Sequence, residues 1–566
     1  MKEKRVIGLL SALCCMLVIA LTACGSSPGA TTDATTAAPS DKQSLRYPVV
    51  GDIATFDPAL AQDLDSHFPI RAVFTGLVAL DTDLTIKPQL ATSWQQSADG
   101  LTWTFKLKPN LTFSDGTPLT SQDVVWSINR ALLPATKSSV SYYLSLIKDY
   151  KRIISGQVPT LIGTSLLAPD PQTVVIVLSQ PAAYFLQTLS YATSYVVEKK
   201  LIDKYGAKFT DHLDEGGGAG PFKVASYSHT RGIELIPNDK YYGPKPKLQR
   251  LSVIFYNDLD GMYKAYQANQ LDFTPVPAAN IEAERHSPGF RETPILTMRY
   301  IIMNYLAKPF DSIKIRQAFA LALNKDLIVQ SALKNTFIPS NHIVPSDMPG
   351  YNPDLTGPDG VKTTQGDASK AKTLLEQGLR EAGYASVAAL PPITLTFYPR
   401  NQGFKDAITA AVQMWKNILG INVNVNIVAR ARMLDLQNAT KGSNGPLQMW
   451  QAGWNADYPD PQNWTSTFFS NGSDYNQFNY GQNQSAAASE QQQVQQQLAQ
   501  ADVSKDQAQR LKLYYDAEQK IVNDVGWLPL WQEKLQSLTR PNIQNLSINA
   551  AQQISPDEWS KIYVSQ

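Results

Sequence analysis

Between residues 88 and 127 the chain reads, in order, Pro88-Gln-Leu-Ala-Thr-Ser-Trp94, Asp99-Gly-Leu-Thr-Trp-Thr-Phe-Lys-Leu107, Phe113-Ser-Asp-Gly-Thr-Pro-Leu-Thr120 and Ser121-Gln-Asp-Val-Val-Trp-Ser127. Apolar and polar side chains alternate over Leu101–Leu107, the period-two pattern of a strand with one buried face. Ser121–Leu132 follows Thr120 and carries Asp123 in its first turn, where a carboxylate meets the positive end of a helix dipole, so a helix is expected there. Working outward, Gln172–Leu178 is a β-branched strand and Ile313–Leu333 an amphipathic helix or pair of helices. Ala407–Leu419 is a helix stopped by Gly420, with a strand over Ile421–Val428. Strands and helices interleave along the whole chain, which places it in the α/β class.

At 566 residues the chain is too long for one ordinary core, so two or three packed lobes are expected. Hydrophobic residues make up 43% and charged residues 17%, ample apolar surface to offset the entropy of ordering. Lys2, Lys4 and Arg5 precede an apolar run from Val6 to Ala23, which ends in Leu21-Thr-Ala-Cys24. A basic region, an apolar region and small residues before the break form a secretory signal. Leu-Thr-Ala-Cys is also similar to the bacterial lipobox, whose cysteine becomes the acylated first residue. The expectation is a leader over residues 1–23, a lipid on Cys24, and a flexible tether from 24 to 44 with the folded body beginning near Leu45. The alternative is an uncleaved anchor, because the apolar run approaches spanning length.

Without the leader, 47 basic residues face 48 acidic ones, a balance that offers no broad attraction to nucleic acid or anionic lipid. The three cysteines are Cys14, Cys15 and Cys24, so the body holds no thiol for a disulfide, a metal site or nucleophilic catalysis. No zincin, nucleophile-elbow, Walker or dinucleotide motif occurs, and the five histidines have no helical pairing. Gly216-Gly-Gly-Ala-Gly-Pro221 lacks the Lys-Ser/Thr of a phosphate cradle and reads as a turn entering a strand. Gln482–Asp502, rich in Gln, Ala and Ser, reads as a solvated linker running into a helix over Asp506–Val522. A hydrolase using two carboxylates leaves no short motif and stays open as an alternative.

Taken together, Phe56-Asp-Pro-Ala59, Val73-Phe-Thr-Gly-Leu-Val78 and the blocks quoted above resemble the oligopeptide and dipeptide receptors of ABC importers, the family 5 solute-binding proteins. The resemblance continues through Gly220-Pro-Phe-Lys223, Tyr241-Tyr-Gly243, Pro309-Phe-Asp311, Ile315-Arg-Gln-Ala318 and Trp454-Asn-Ala-Asp-Tyr-Pro-Asp-Pro461. It implies a periplasmic-binding-protein-like two-lobed clamshell of the large type II class with an extra domain inserted in the first lobe. The first lobe would take residues 45–75, 190–298 and 527–566, the inserted domain 76–189, and the second lobe 299–526. It implies no cofactor and no catalysis: a monomer outside the cytoplasm, held by its lipid, hands a short peptide to a membrane permease driven by partner ATPases. Members of the same family that take oligosaccharides, nickel complexes or opines keep other solutes open.

The aspartate of the Trp-x-x-Asp-Tyr signature falls at Asp457, which the resemblance assigns to the peptide's α-ammonium; a buried ammonium without a partner would cost several kcal/mol. A turn or cap carboxylate before Pro459 is the structural alternative. By the same resemblance an extended ligand pairs with Gln62-Asp63-Leu64 and Gly453-Trp454-Asn455, and Trp454 stacks on a ligand side chain or belongs to the core. Some relatives carry arginine where this chain has Gln451, which leaves the neutralisation of a ligand carboxylate open.

Overall fold

The computed structural model describes residues 36–566. The first lobe is built on a four-stranded sheet in the order Ser44–Val50, Arg250–Tyr256, Gly232–Pro237, Phe222–Ser228, its first pair parallel and the others antiparallel. Its core gathers Leu45, Phe74, Phe222, Leu251 and Trp559 from widely separated segments. A second four-stranded sheet, Ala91–Gln96, Thr102–Leu107, Thr173–Val177, Leu166–Asp170, is antiparallel throughout. The alternation in Thr102–Leu107 turns Trp103, Phe105 and Leu107 inward, onto the helix Ser121–Leu132. That helix begins where the sequence says: Thr120 and Asp123 form a reciprocal capping box, satisfying two backbone donors that would otherwise lack partners. Arg130 from its last turn pairs with the buried Asp57, tying the inserted sheet to the Phe56-Asp57-Pro58 segment of the first lobe.

The second lobe carries a seven-stranded sheet in the order Phe273–Pro275, Leu528–Thr539, Phe290–Met303, Met449–Asn455, Ile393–Phe397, Val423–Ile427, with Phe337–Pro339 beside Leu528–Thr539. Two of its strands are long, and they run antiparallel from the first lobe into the second. At one end Phe290 and Leu538 pack with Tyr263 and Tyr266; at the other Ile301 and Leu528 enter the core of Phe319 and Trp415. Their register slips between Pro294 and Met298, a bulge that bends the pair at the crossing. Trp415 is fully buried on the helix Gln402–Leu419 and donates its indole N–H to Phe319 O at 2.8 Å, so both its area and its polar atom are satisfied. Gly420 ends that helix at φ +71°, a conformation glycine adopts without strain. Ile313–Leu333 is a pair of helices, Ile313–Leu321 and Lys325–Leu333.

Two expectations are corrected. The tether does not run to residue 44: Ala37 bridges Ser565, Ala38 N–H donates to Val564 O at 2.8 Å, and the Gln43 side chain bonds both Ala38 O and Val564 O. The body thus begins several residues earlier, because the C-terminal strand supplies backbone partners that no local pattern shows. Cys24 and the leader lie outside the described residues. Nor is Gln482–Asp502 a solvated linker: Ala488–Val503 is a helix packed on the helix Gln507–Asn523. Val494, Leu498 and Ala501 are buried, and so are two glutamines whose amides have fixed partners. Gln495 Nε2 donates to Phe469 O and Tyr480 O, and Gln491 Nε2 to Asp524 Oδ2 at 2.6 Å. Polar composition concealed a buried face because its hydrogen-bonding partners are far away in sequence.

Candidate ligand-binding site

A cleft of about 690 Å³ lies between the lobes, bounded on one side by Gln62, Ser139, Tyr142, Tyr143 and Tyr191 and on the other by residues of the second lobe. Its floor is the strand Met449–Asn455. One edge of that strand is paired over its whole length with Phe290–Met303. On the other edge the parallel partner Ile393–Phe397 reaches only Met449 and Trp450, so Gln451–Asn455 present an open edge. Ala456 N–H donates to Leu296 O, and alternation along an antiparallel ladder then turns the N–H and C=O of Gly453 and Asn455 towards that open edge. Such an edge accepts one more extended chain through main-chain hydrogen bonds.

Beyond the strand, a single amide organises the signature. Asn463 Oδ1 accepts both the Trp454 indole N–H at 3.0 Å and the Asp457 backbone N–H at 2.9 Å, which is why Trp and Asp stand three residues apart. Asn463 Nδ2 approaches Asp457 Oδ2 at 3.3 Å, and Tyr143 donates its hydroxyl to Asp457 Oδ1 at 2.6 Å from the opposite wall. Burial pushes the Asp457 carboxyl up to about 6, against the downward pull of these two hydrogen bonds. The Tyr143 phenol is driven far up by burial and by Asp457 itself, so it remains the donor. Its ring stacks between Tyr142 (centroids 4.3 Å apart) and Tyr191 (3.6 Å), and Tyr191 in turn meets His67 Nε2 at 3.0 Å. The second acid of the signature is occupied: Asp460 is buried in a two-pronged pair with Arg510, at 2.6 and 2.9 Å.

Farther along the cleft strand the wall is basic. Arg299 stands opposite Gly453 in the ladder, and its guanidinium fills the space a side chain at 453 would take. It bonds Glu533 Oε1 at 2.5 Å; Arg400 reaches the same oxygen at 3.1 Å, and both cations lie over Phe404. Arg430, Leu434 and Gln437 bring one face of the helix Arg430–Thr440 to the cleft.

Of the positions expected from sequence, Asp457, Trp454, Gly453, Asn455 and Gln62 line this cleft. Trp454 is half-buried, edge-on to Phe468 and Tyr475. Of the Gln62-Asp63-Leu64 segment expected to pair with a ligand, Gln62 lines the cleft and Asp63 has extended backbone before the helix starts at Leu64. Asp63 caps the helix Leu64–Val73, accepting from Ser66 N and Ser66 Oγ at 2.8 Å, and Leu64 is its exposed first residue. A carboxylate three residues before that serine is placed to cap the first turn of a helix. Gln451 turns its amide to Ala452 O at 2.7 Å. Sequence reading missed Tyr143, Tyr191, Arg299, Arg400 and Arg430. Arg299 alone left a signal, a charge interrupting the apolar run Ile295–Met303. Among the described residues no group of His, Cys, Asp or Glu is placed to hold a metal ion, and no helix is long and apolar enough to cross a membrane.

Two α/β lobes joined by paired long strands, with a polar and aromatic cleft between them, define a solute-binding protein of the clamshell type. Residues 85–476 match the bacterial extracellular solute-binding proteins, family 5 Middle, and the chain belongs to that family. It is 28% identical over 433 residues to the oligopeptide-binding protein OppA of Bacillus subtilis, covering 75% of this chain and 77% of that one. In three dimensions it is similar to the unliganded open form of MppA, the murein tripeptide binding protein of Escherichia coli (TM-score 0.79, 24% identity, 94% of this chain and 99% of that one). It is also similar to Haemophilus influenzae OppA in complex with the peptide RPPGFSPFR (TM-score 0.66, 22% identity, 93% and 99%).

Proposed function

We propose that this protein captures short peptides in the interlobe cleft and delivers them to the permease of an ABC importer, without altering them chemically. The observation that carries the reading is Asp457, an ionisable acid in the cleft wall beside an unpaired strand edge. The ligand's ammonium displaces or joins the Tyr143 hydroxyl at Asp457, and its main chain pairs with Gly453 and Asn455. Main-chain pairing gives affinity with little demand on side chains, which Trp454, Tyr142 and Tyr475 can flank. The peptide-binding names of the relatives support the same ligand class.

Ligand bridging both walls favours the closed form, the two long strands bending at their bulge; the permease then reads the closed shape. The lobe divisions and the lipid on Cys24 belong to this proposal: a lipid anchor of several acyl chains keeps the receptor at the membrane while leaving the cleft free. Isothermal titration with a small tripeptide panel tests the ligand class. Binding of one peptide per chain, with the peptide recovered intact, is expected; hydrolysed peptide, or affinity for oligosaccharide in place of peptide, would sink it.

A further inference from the structure

The charges on the cleft walls do not cancel. Arg299, Arg400 and Arg430 line the cleft, and Asp457 is the acid among its lining residues. Glu533 stands behind, shared between Arg299 and Arg400, so three cations face two anions. Arg430 has no ion pair among the described residues. Local structure gives it no reason to be a cation: it is the first residue of the helix Arg430–Thr440, which Ala429 leaves uncapped, and a positive charge there opposes the helix dipole. A charge placed against local preference and exposed to a cleft marks a position answering to function.

Now place a zwitterionic peptide. Its ammonium neutralises Asp457, and its carboxylate neutralises the net single charge of the Arg299–Arg400–Glu533 cluster. Gly453, opposite Arg299, and Ala456, beside Asp457, are three residues apart on an extended segment, about 10 Å, which is the reach of a tripeptide. Arg430 is then left over. Resting on the peptide reading above, we propose that the preferred ligand carries one net negative charge, its additional carboxylate seated against Arg430 with Arg400 beside it. Guanidinium forks suit carboxylates in a partly dehydrated cleft, and a cationic side chain in the same place would be repelled.

The test is titration calorimetry at low salt with Ala-Ala-Ala, Ala-Glu-Ala, Ala-Ala-Glu and Ala-Lys-Ala. At least one glutamyl peptide should bind about tenfold more tightly than trialanine, with the lysyl peptide weakest and the spread shrinking in 0.5 M salt. Arg430→Gln should bring the glutamyl-to-trialanine ratio close to one, and Arg430→Lys should retain most of it. Equal affinities for neutral and glutamyl peptides, or a ratio untouched by Arg430→Gln, would overturn the charge assignment while leaving peptide binding standing. Absence of binding by all four would overturn the peptide reading and this inference with it.

Discussion

Asp457→Asn isolates the charge at the centre of the proposed site. Asparagine matches aspartate in size and keeps an oxygen for the Tyr143 hydroxyl at the position now 2.6 Å away, giving up only the long 3.3 Å hydrogen bond that Asp457 Oδ2 accepts from Asn463 Nδ2. The chief loss is the negative charge facing the ligand ammonium. Removing one partner of a dehydrated, hydrogen-bonded charge pair costs about 2–5 kcal/mol. Asp457 is only half-buried and the cleft opens to solvent, so the lower end applies: about 2–3 kcal/mol, a loss of roughly 30- to 150-fold in Kd. Calorimetry would compare a tripeptide with its N-acetylated form on both proteins. Wild type should reject the acetylated peptide by a similar factor, and Asp457→Asn should bind the two alike. Burial holds the folded-state carboxyl above its ordinary range, so its ionised form destabilises the native state as pH rises past the ordinary value towards 6. Thermal stability of the variant at pH 7 should therefore hold or rise, separating lost binding from lost folding. Equal binding of free and acetylated peptide by wild type, or undiminished affinity in the variant, would refute the amine anchor.

The same carboxyl makes binding pH-dependent: with a value of about 6, the ionised fraction falls about tenfold between pH 7 and pH 5, and peptide affinity should fall with it. Tyr143→Phe removes a hydrogen bond that favours the ionised form, so the midpoint of that profile should move to higher pH; an unmoved midpoint would show that the phenol does not tune the acid. Gly453→Ala drives a methyl group into the Arg299 guanidinium and should cost about 1–3 kcal/mol in urea unfolding as well as peptide affinity. Gln495→Ala leaves the Phe469 and Tyr480 carbonyls without that donor, and a loss of about 1–3 kcal/mol is expected from the same measurement.

What could be read from sequence was what neighbours in the chain decide. Thr120 and Asp123 cap a helix from three residues apart, Gly420 stops one, and the alternation through Leu107 gives a strand its buried face, so these elements form where local pattern puts them. The signature Trp454-x-x-Asp457 is local in the same sense, its spacing set by one asparagine oxygen a few residues on. The tertiary structure decided everything that depends on distant partners. The two glutamines of Ala488–Val503 are buried because acceptors from other segments meet them, the Asp524 carboxylate for Gln491 and the Phe469 and Tyr480 carbonyls for Gln495, and Ala37 is fixed because the C-terminal strand lies beside it. Asp457 and Asp460 look alike in the chain; folding gives Arg510 to Asp460 and turns Asp457 to the cleft with Tyr143. The basic wall is the clearest case, since Arg299, Arg400 and Arg430 come from a long strand, a loop and a helix start. Electrostatic energy depends on distance in space, and no spacing along the chain encodes it.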